Sequence, residues 1–303
     1  MYVYDVADVN LNAIFRKIDL NAKWMNMKTS VYPPAAIAKL TKSYKGRYPF
    51  CLATTSFIFP DTWAANVRRL GPYVDEIELL FFESGASNYP SKKEINTLAH
   101  LADDLALTYN VHLPMDIYLG HETASERKRA VDQVRQVLDL TGLLPVSVYV
   151  IHVVRSEKSS DQKTIDSWRN RTKTSFEKIV SGGIPTVSLA VETLDYPLSW
   201  VDSVIFDLDL SVCLDLGHLW LAGRNPLSQY HLYQNQTRIL HLHGIENGRD
   251  HRSLTQLNSD QKKIVRQMLK GFNGVVSLEV FSLDDLIPSL FAMEKICSES
   301  AWL

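Results

Sequence analysis

"CLDLGHLWLAG", residues 213–223, is the stretch on which the fold turns. It leaves an apolar run and drops an acid, Asp215, and a histidine, His218, where the hydrophobic pattern ends. Ionisable groups at the end of a buried strand are costly unless they open onto a shared polar site. Gly217 between them is expected to let the backbone turn sharply, so that His218 faces the same pocket as Asp215.

The same ending recurs along the chain. Strands are expected at "CLATTSF" (51–57), "DEIELLFF" (75–82), "LTYNVHL" (107–113), "SVYVIHV" (147–153), "VSLAVET" (187–193), "SVCLDL" (211–216), "RILHLHG" (238–244) and "GVVSLEV" (274–280). Several are apolar without strict alternation, as parallel strands covered on both faces are. Amphipathic segments lie between them. "SKKEINTLAHLADDLA" (91–106) opens on Ser91 as a cap and carries Ile95, Leu98, Leu101, Ala102 and Leu105 on one face. "SERKRAVDQVRQVLDLTG" (125–142) starts at Ser125 and stops at Gly142, and "SDQKKIVRQMLKGFNG" (259–274) repeats the device.

Eight strands, each followed by a crossover, predict an α/β chain folded as a (β/α)8 TIM barrel over residues 46–303. The crossover "YPLSWVDSVIFDLD" (196–209) is the shortest link in that count. An open doubly wound sheet is the alternative, but no GxGxxG follows any strand to favour it. Residues 1–45 fall outside the repeat and read as a short helical N-terminal extension interrupted at Pro33-Pro34, with Met27 a second possible start.

At 303 residues with 46% hydrophobic and 22% charged content, the chain can bury one large core. A net charge of −2 argues against non-specific nucleic-acid binding, which needs a basic surface. No apolar run is long enough to span a membrane, and the N-terminus lacks the order of a secretory signal. Three scattered cysteines without a CxxC suit a reduced cytoplasm and small apolar roles rather than a thiolate nucleophile.

Catalytic groups of such barrels sit at the C-terminal ends of the strands. Those ends offer His112, His152, Glu192, Asp215 with His218, His241 with His243, and Glu279, and His251 follows in the seventh loop. Five or six of the nine histidines therefore fall on one predicted rim. Each alone is as well explained as a buried ring bonded to backbone, and Glu279 as an ion-pair partner. Together they are not, because Lys and Arg are almost absent from these ends and unpaired buried charges cost several kcal/mol each. A divalent cation supplies the missing charge, and imidazole with carboxylate suits zinc, manganese or iron rather than calcium. Asp215 would then close its strand as an oxygen ligand.

These residues resemble the xylose-isomerase-like barrel superfamily, which includes endonuclease IV-type nucleases and sugar epimerases. "NVHLP", "IHV", "AVET", "LDLGHLW", "LHLHG" and "SLEV" stand in the family's order. The resemblance implies a shared metal set of Glu192, Asp215, His241 and Glu279, to which the nuclease branch adds His112, His152, His218 and His251. That branch carries an aspartate two residues before its last histidine, where this chain has Arg249. Either the third metal is lost or Asp250 reaches it through a local bulge. Within the superfamily, residues 46–295 resemble CbiR-type cobamide-remodelling phosphodiesterases, through "GRYPFCLATTSFIFPDTWAANVRRLGPYVDEIELLFFES" and "LTYNVHLPMDIYLG".

The resemblance implies hydrolysis of the nucleotide-loop phosphodiester of a cobamide, adenosylcobalamin giving adenosylcobinamide phosphate and an α-riboside. Two or more divalent ions per chain, zinc or manganese, are the expected cofactors. Glu192, Glu279 and His218 are the expected catalytic groups. Arg249, Arg252, His243, Trp220 and Phe57 are expected at the substrate, although the arginines also suit a solvated loop and the rings a core, and His243, which shares the parity of His241, also suits a further metal ligand or a group behind one. Phe81, Phe82 and Tyr109 fall near the same rim, and Thr54, Thr55 and Ser56 are either near the site or ordinary members of the core. Glu76 and Glu78 share a face of the second strand, where one is either inward and polar or paired with a neighbouring lysine or arginine, and both stand outside the ligand set. Three other readings compete: a sugar isomerase or epimerase using one metal, an endonuclease on abasic DNA, and a non-catalytic cobamide carrier with a vestigial site. The absence of a basic cluster speaks against the endonuclease.

Overall fold

The computed structural model describes residues 40–298. The expected helical extension lies outside the described residues except for 40–45, which are irregular. That short piece is tied to the barrel: Leu40 and Tyr44 are buried, the Tyr44 N–H donates to the Tyr73 carbonyl, and Lys45 Nζ donates to the carbonyls of Gly71, Val74 and Leu105.

Eight parallel strands close into a barrel: β1 Cys51–Thr55, β2 Glu76–Leu80, β3 Thr108–His112, β4 Val146–Ile151, β5 Leu189–Glu192, β6 Ser211–Asp215, β7 Thr237–Leu242 and β10 Val275–Leu278. The helices of the crossovers are α1 Trp63–Leu70, α2 Lys92–Leu105, α3 Ala124–Thr141, α4 Gln162–Val180, α5 Asp202–Asp207, α6 Leu216–Leu221, α7 Pro226–Tyr233, α8 Ser259–Leu269 and α9 Leu283–Ser298. Among the described residues no helix is long and apolar enough to cross a membrane.

The pleat sorts side chains by parity. Leu52, Val111, Ile151, Val191, Leu214 and Val276 belong to the large core shared with the helices. Their neighbours Ala53, Val150, Ala190, Cys213, Ile239 and Val275 form a separate small cluster inside the barrel. Glu192, Asp215, His241 and Glu279 share the inward parity, so each strand carries its acid or imidazole to the top of this interior.

Local chemistry sets the helix starts. Ser91 caps α2 by accepting the Glu94 N–H at 3.2 Å, as its sequence predicts. Ser125 and Ser259 are not caps. The N-cap positions are Thr123, which makes no side-chain cap bond, and Asn258, which forms a reciprocal capping box with Gln261. The short crossover after β5 is a single 3-10 turn, Leu198–Val201, running into the six-residue α5.

One element was not anticipated. The seventh loop folds into an antiparallel hairpin, β8 Gly244–Glu246 with β9 Arg249–Arg252. Asn247 and Gly248 at its tip have φ of +53° and +71°. An Asn-Gly pair with both residues left-handed is the favoured two-residue hairpin turn, so the signal was present in "IENGRDH".

Candidate metal centre

Asp215 answers the question posed by its own strand. Its Oδ1 caps α6 by accepting the His218 N–H at 2.7 Å, and its backbone N–H donates to Thr193 Oγ1 at 2.8 Å. Gly217, however, has no left-handed φ. The need for glycine is steric: a Cβ there would lie 1.9 Å from His243 Cε1. His243 lies against the backbone of the turn, and any side chain at 217 would displace it. Gly217→Ala is expected to cost about 1–3 kcal/mol, the range for overpacking a filled interior. Denaturant midpoints of the two proteins measure this.

Glu192 stands at the centre. Its Oε2 is 3.1 Å from His112 Nε2 and 2.9 Å from His152 Nε2, while its Oε1 is 3.3 Å from His218 Nδ1 and 3.7 Å from His241 Nδ1. His241 Nδ1 is also 3.0 Å from Glu279 Oε2 and 3.8 Å from Asp215 Oδ2. Donor atoms of Glu192, Asp215, His241 and Glu279 therefore converge within 4.8 Å of one another, and those of His112, His152 and Glu192 do the same. A further set joins His218, His243 and His251.

Backbone carbonyls assign the proton on three rings. A carbonyl can only accept, so Nδ1 carries the hydrogen where it faces Leu113 O in His112 (2.9 Å), Thr193 O in His218 (3.2 Å) and Glu279 O in His251 (3.0 Å). In the neutral rings each Nε2 keeps its lone pair, the state a metal ligand needs.

Buried polar atoms without a hydrogen-bond partner mark the same place: His152 Nε2, Glu192 Oε1, both ring nitrogens of His241, Glu279 Oε2 and Glu78 Oε1. Lone pairs and carboxylate oxygens face one another here without a lysine or arginine. The donor set fits divalent cations of the zinc or manganese type. Without them the groups exchange charge among themselves. Burial opposes ionisation of Glu192, but His152 and His241 hold its carboxyl well below the usual range. Burial likewise disfavours the charged His218 ring, yet Asp215 and Glu192 push it up to about 10.

The hairpin decides the place of Asp250. Successive residues of a regular strand face opposite sides, but His251 has φ +52°, which breaks the alternation. Asp250 Oδ2 consequently lies 3.9 Å from both His218 Nε2 and His251 Nε2. Arg249 is turned outward and exposed.

The remaining sequence candidates fall away from the cluster in different degrees. Arg252 is half-buried with its guanidinium 4.0 Å from Asp285. Trp220 packs, partly buried, on the outer core. Phe57 sits edge-on to Phe82 and Phe281, at 4.9 and 6.4 Å, behind two rings that line the cleft. Tyr109 points to the helix side, its hydroxyl donating to Leu98 O. Thr54 and Thr55 donate their hydroxyls to backbone carbonyls, and Ser56 Oγ accepts the Leu80 N–H. The cleft itself has a polar floor containing His112, His152, Glu192 and Glu279, and an apolar rim of Phe82, Met115 and Phe281.

Glu78 was missed. It is wholly buried, its Oε1 lies 3.1 Å from His241 Nε2, and its Oε2 accepts from Ser277 Oγ at 2.5 Å. Glu76, one layer below, accepts from Thr108, Asn110 and Ser147. Among the described residues no lysine or arginine pairs with either acid. Inward parity beneath a histidine, rather than charge, was the available signal.

Comparison with known proteins bears on the fold. Among solved structures, a D-tagatose 3-epimerase-like protein superposes with a TM-score of 0.70 at 19% identity, over 82% of this chain and 98% of that one. The 3-keto-D-glucoside 4-epimerase of E. coli gives 0.63 at 13% identity, over 82% and 99%. A probable 3-DHS dehydratase involved in petrobactin synthesis from Bacillus anthracis gives 0.62 at 16%, over 80% and 98%. At such identities the likeness is one of fold. No curated protein matches the chain in sequence. The family model described as xylose isomerase-like TIM barrel matches residues 64–297, most of the described barrel, and the chain belongs to that family.

Proposed function

We propose that the protein is a metal-dependent phosphodiester hydrolase acting on a small molecule. The observation that carries this reading is the placement of Glu192, whose two oxygens address different donor sets: Oε2 faces His112 and His152, and Oε1 faces His241. A carboxylate so placed could be shared by two cations, one that His112 and His152 would hold and one that His241, Asp215 and Glu279 would hold. Divalent cations bound there supply Lewis-acid charge for phosphate oxygens and make nearby water more acidic. Glu279, at the cleft floor, is placed to accept the proton of an attacking water, with Glu192 as the second acceptor. His218, also on the cleft wall, orients the phosphate. Phe82, Met115 and Phe281 offer an apolar shelf for a flat group beside it. A cobamide nucleotide loop, with its base next to a phosphodiester, has that combination, and it is the substrate the sequence resemblance implies.

A sugar isomerase or epimerase is the second reading, and the solved structures of similar fold lean toward it. The Glu192, Asp215, His241 and Glu279 set would hold its single metal, and His112, His152, His218 and His251 would then be spare. One experiment separates the two. Metal-analysed protein is incubated with adenosylcobalamin and, separately, with a panel of ketoses, and the products are identified by mass and chromatography. Two or more ions per chain with release of an α-riboside is the expected result. One ion per chain with interconverted sugars would put the epimerase in its place.

A further inference from the structure

The sequence suggests His243 as a substrate contact, and its distance from His218 and His251 suggests a ligand. Its surroundings allow neither. The backbone N–H of His251 donates to His243 Nδ1 at 3.0 Å. A backbone N–H can only donate, so Nδ1 holds a lone pair rather than a proton. The ring hydrogen is therefore on Nε2, which faces Asp215 Oδ2 at 3.2 Å and donates to it. The Gly244 carbonyl, 3.3 Å from Nδ1, sits at the outer edge of bonding distance and does not displace the shorter partner. With its one lone pair occupied and its one hydrogen given away, the ring has nothing left for a cation. It is also fully buried and forms no part of the cleft lining.

We propose that His243 is a positioning residue that ties Asp215 to the β8–β9 hairpin and thereby sets where Asp250 and His251 stand. The proposal rests on the metal-centre reading above and deepens it. Two observations give the ring this task. It is clamped in place, with the Gly217 backbone on one side and the His251 ring 4.4 Å away. The hairpin, in turn, needs an anchor: a two-stranded ribbon of three and four residues has little stability of its own. His251 moreover holds a left-handed backbone that a side chain disfavours. Its N–H bond to His243 and its Nδ1 bond to the Glu279 carbonyl hold that conformation from two sides.

The test separates the two links. In His243→Gln the amide nitrogen can still reach Asp215, but the acceptor for the His251 N–H is lost. In His243→Asn the shorter amide oxygen keeps that acceptor and gives up the reach to Asp215. Zinc is titrated into the full chain against a competing chelator, and ions per chain are counted by mass spectrometry, with circular dichroism confirming the fold. His243→Gln is expected to weaken the His251-dependent zinc by 10–100-fold, the usual effect of losing an outer partner of a ligand. His251→Ala should remove that same zinc, and the His243→Gln/His251→Ala pair should lose no more than His251→Ala alone. His243→Asn should keep the His251-dependent zinc within about threefold and weaken the other. Zinc affinity unchanged in His243→Gln, or losses that add in the pair, would overturn the proposal, the second by making His243 an independent ligand. A wild-type chain that takes up no zinc, manganese or cobalt would remove the metal-centre reading itself and this inference with it.

Discussion

Glu192→Gln is expected to lower turnover about 1000-fold or more while the chain stays folded and keeps its affinity for substrate. The amide has nearly the shape of the carboxylate but carries no charge, and one of its two polar atoms is a donor. The nitrogen would face either His112 and His152 or His241 and His218, so one donor set loses its shared oxygen whichever way the amide turns. Charge stabilisation by a metal centre is worth several kcal/mol in the transition state, and each 1.36 kcal/mol is tenfold in rate, hence the magnitude. Single-turnover rates and ions per chain, measured on the same preparation, give the two readouts. Undiminished turnover would sink the mechanism. If an ion were lost as well, the failure would lie in placing the chemistry at the site shared through Glu192.

Removing the metal is expected to destabilise the chain in a pH-dependent way whose direction follows from the cluster. In the metal-free protein His218 is pushed up to about 10, burial being outweighed by Asp215 and Glu192. A group whose pKa is raised by folding contributes stability that is complete below the unfolded value, about 6.5 for histidine, and is lost as pH climbs through the folded value. Glu192 and Glu279 are held well below the usual range against burial, chiefly by His152 and His241 for the first and by His241 and His251 for the second. Their contribution is present above about 4.3 and is lost as pH falls through their lowered values. The melting temperature of chelated protein should therefore fall from pH 6.5 toward 10. Cations replace protons on the imidazoles, so the loaded protein should hold its melting temperature across that range and the gap should widen. A thousandfold excess of free metal over Kd adds about 4 kcal/mol per site, or roughly 10 °C for a chain of this size. Scanning calorimetry of chelated and reloaded protein from pH 6 to 10 checks it. A chelated protein whose melting temperature rose over that interval would contradict the proposed cluster.

Much of this candidate centre is legible along the chain because its acids and imidazoles end strands. Period-two patterning tells which residues of a strand face inward, and the barrel's one-sided arrangement of strand ends then gathers His112, His152, Glu192, Asp215, His241 and Glu279 without any knowledge of distances. Glu78 escaped that reading because nothing local distinguishes an acid that supports His241 from one that meets a lysine. The choice depends on β2 and β7, which lie on either side of intervening strands and meet only across the barrel.

Gly217 shows the opposite error, a local explanation given to a long-range cause. In sequence it stands in a turn between two functional residues, and a sharp backbone bend is the ordinary reason for glycine there. In the structure Gly217 lies within the first turn of α6 and has no left-handed φ. The glycine makes room for the ring of His243, 26 residues later, and that separation is invisible to any reading by neighbours.

What the sequence by itself determined, then, is the eight strands of the barrel, their inward faces and the acids and imidazoles at their ends, since these follow from periodicity and turn chemistry within a few residues. The tertiary structure alone decided which nitrogen of His112, His218, His243 and His251 bears the proton, that Asp250 rather than Arg249 faces His218, and that His243 bonds Asp215. Those outcomes depend on carbonyls, N–H groups and backbone angles contributed by other strands, and directional bonds of that kind exist only once the barrel has closed.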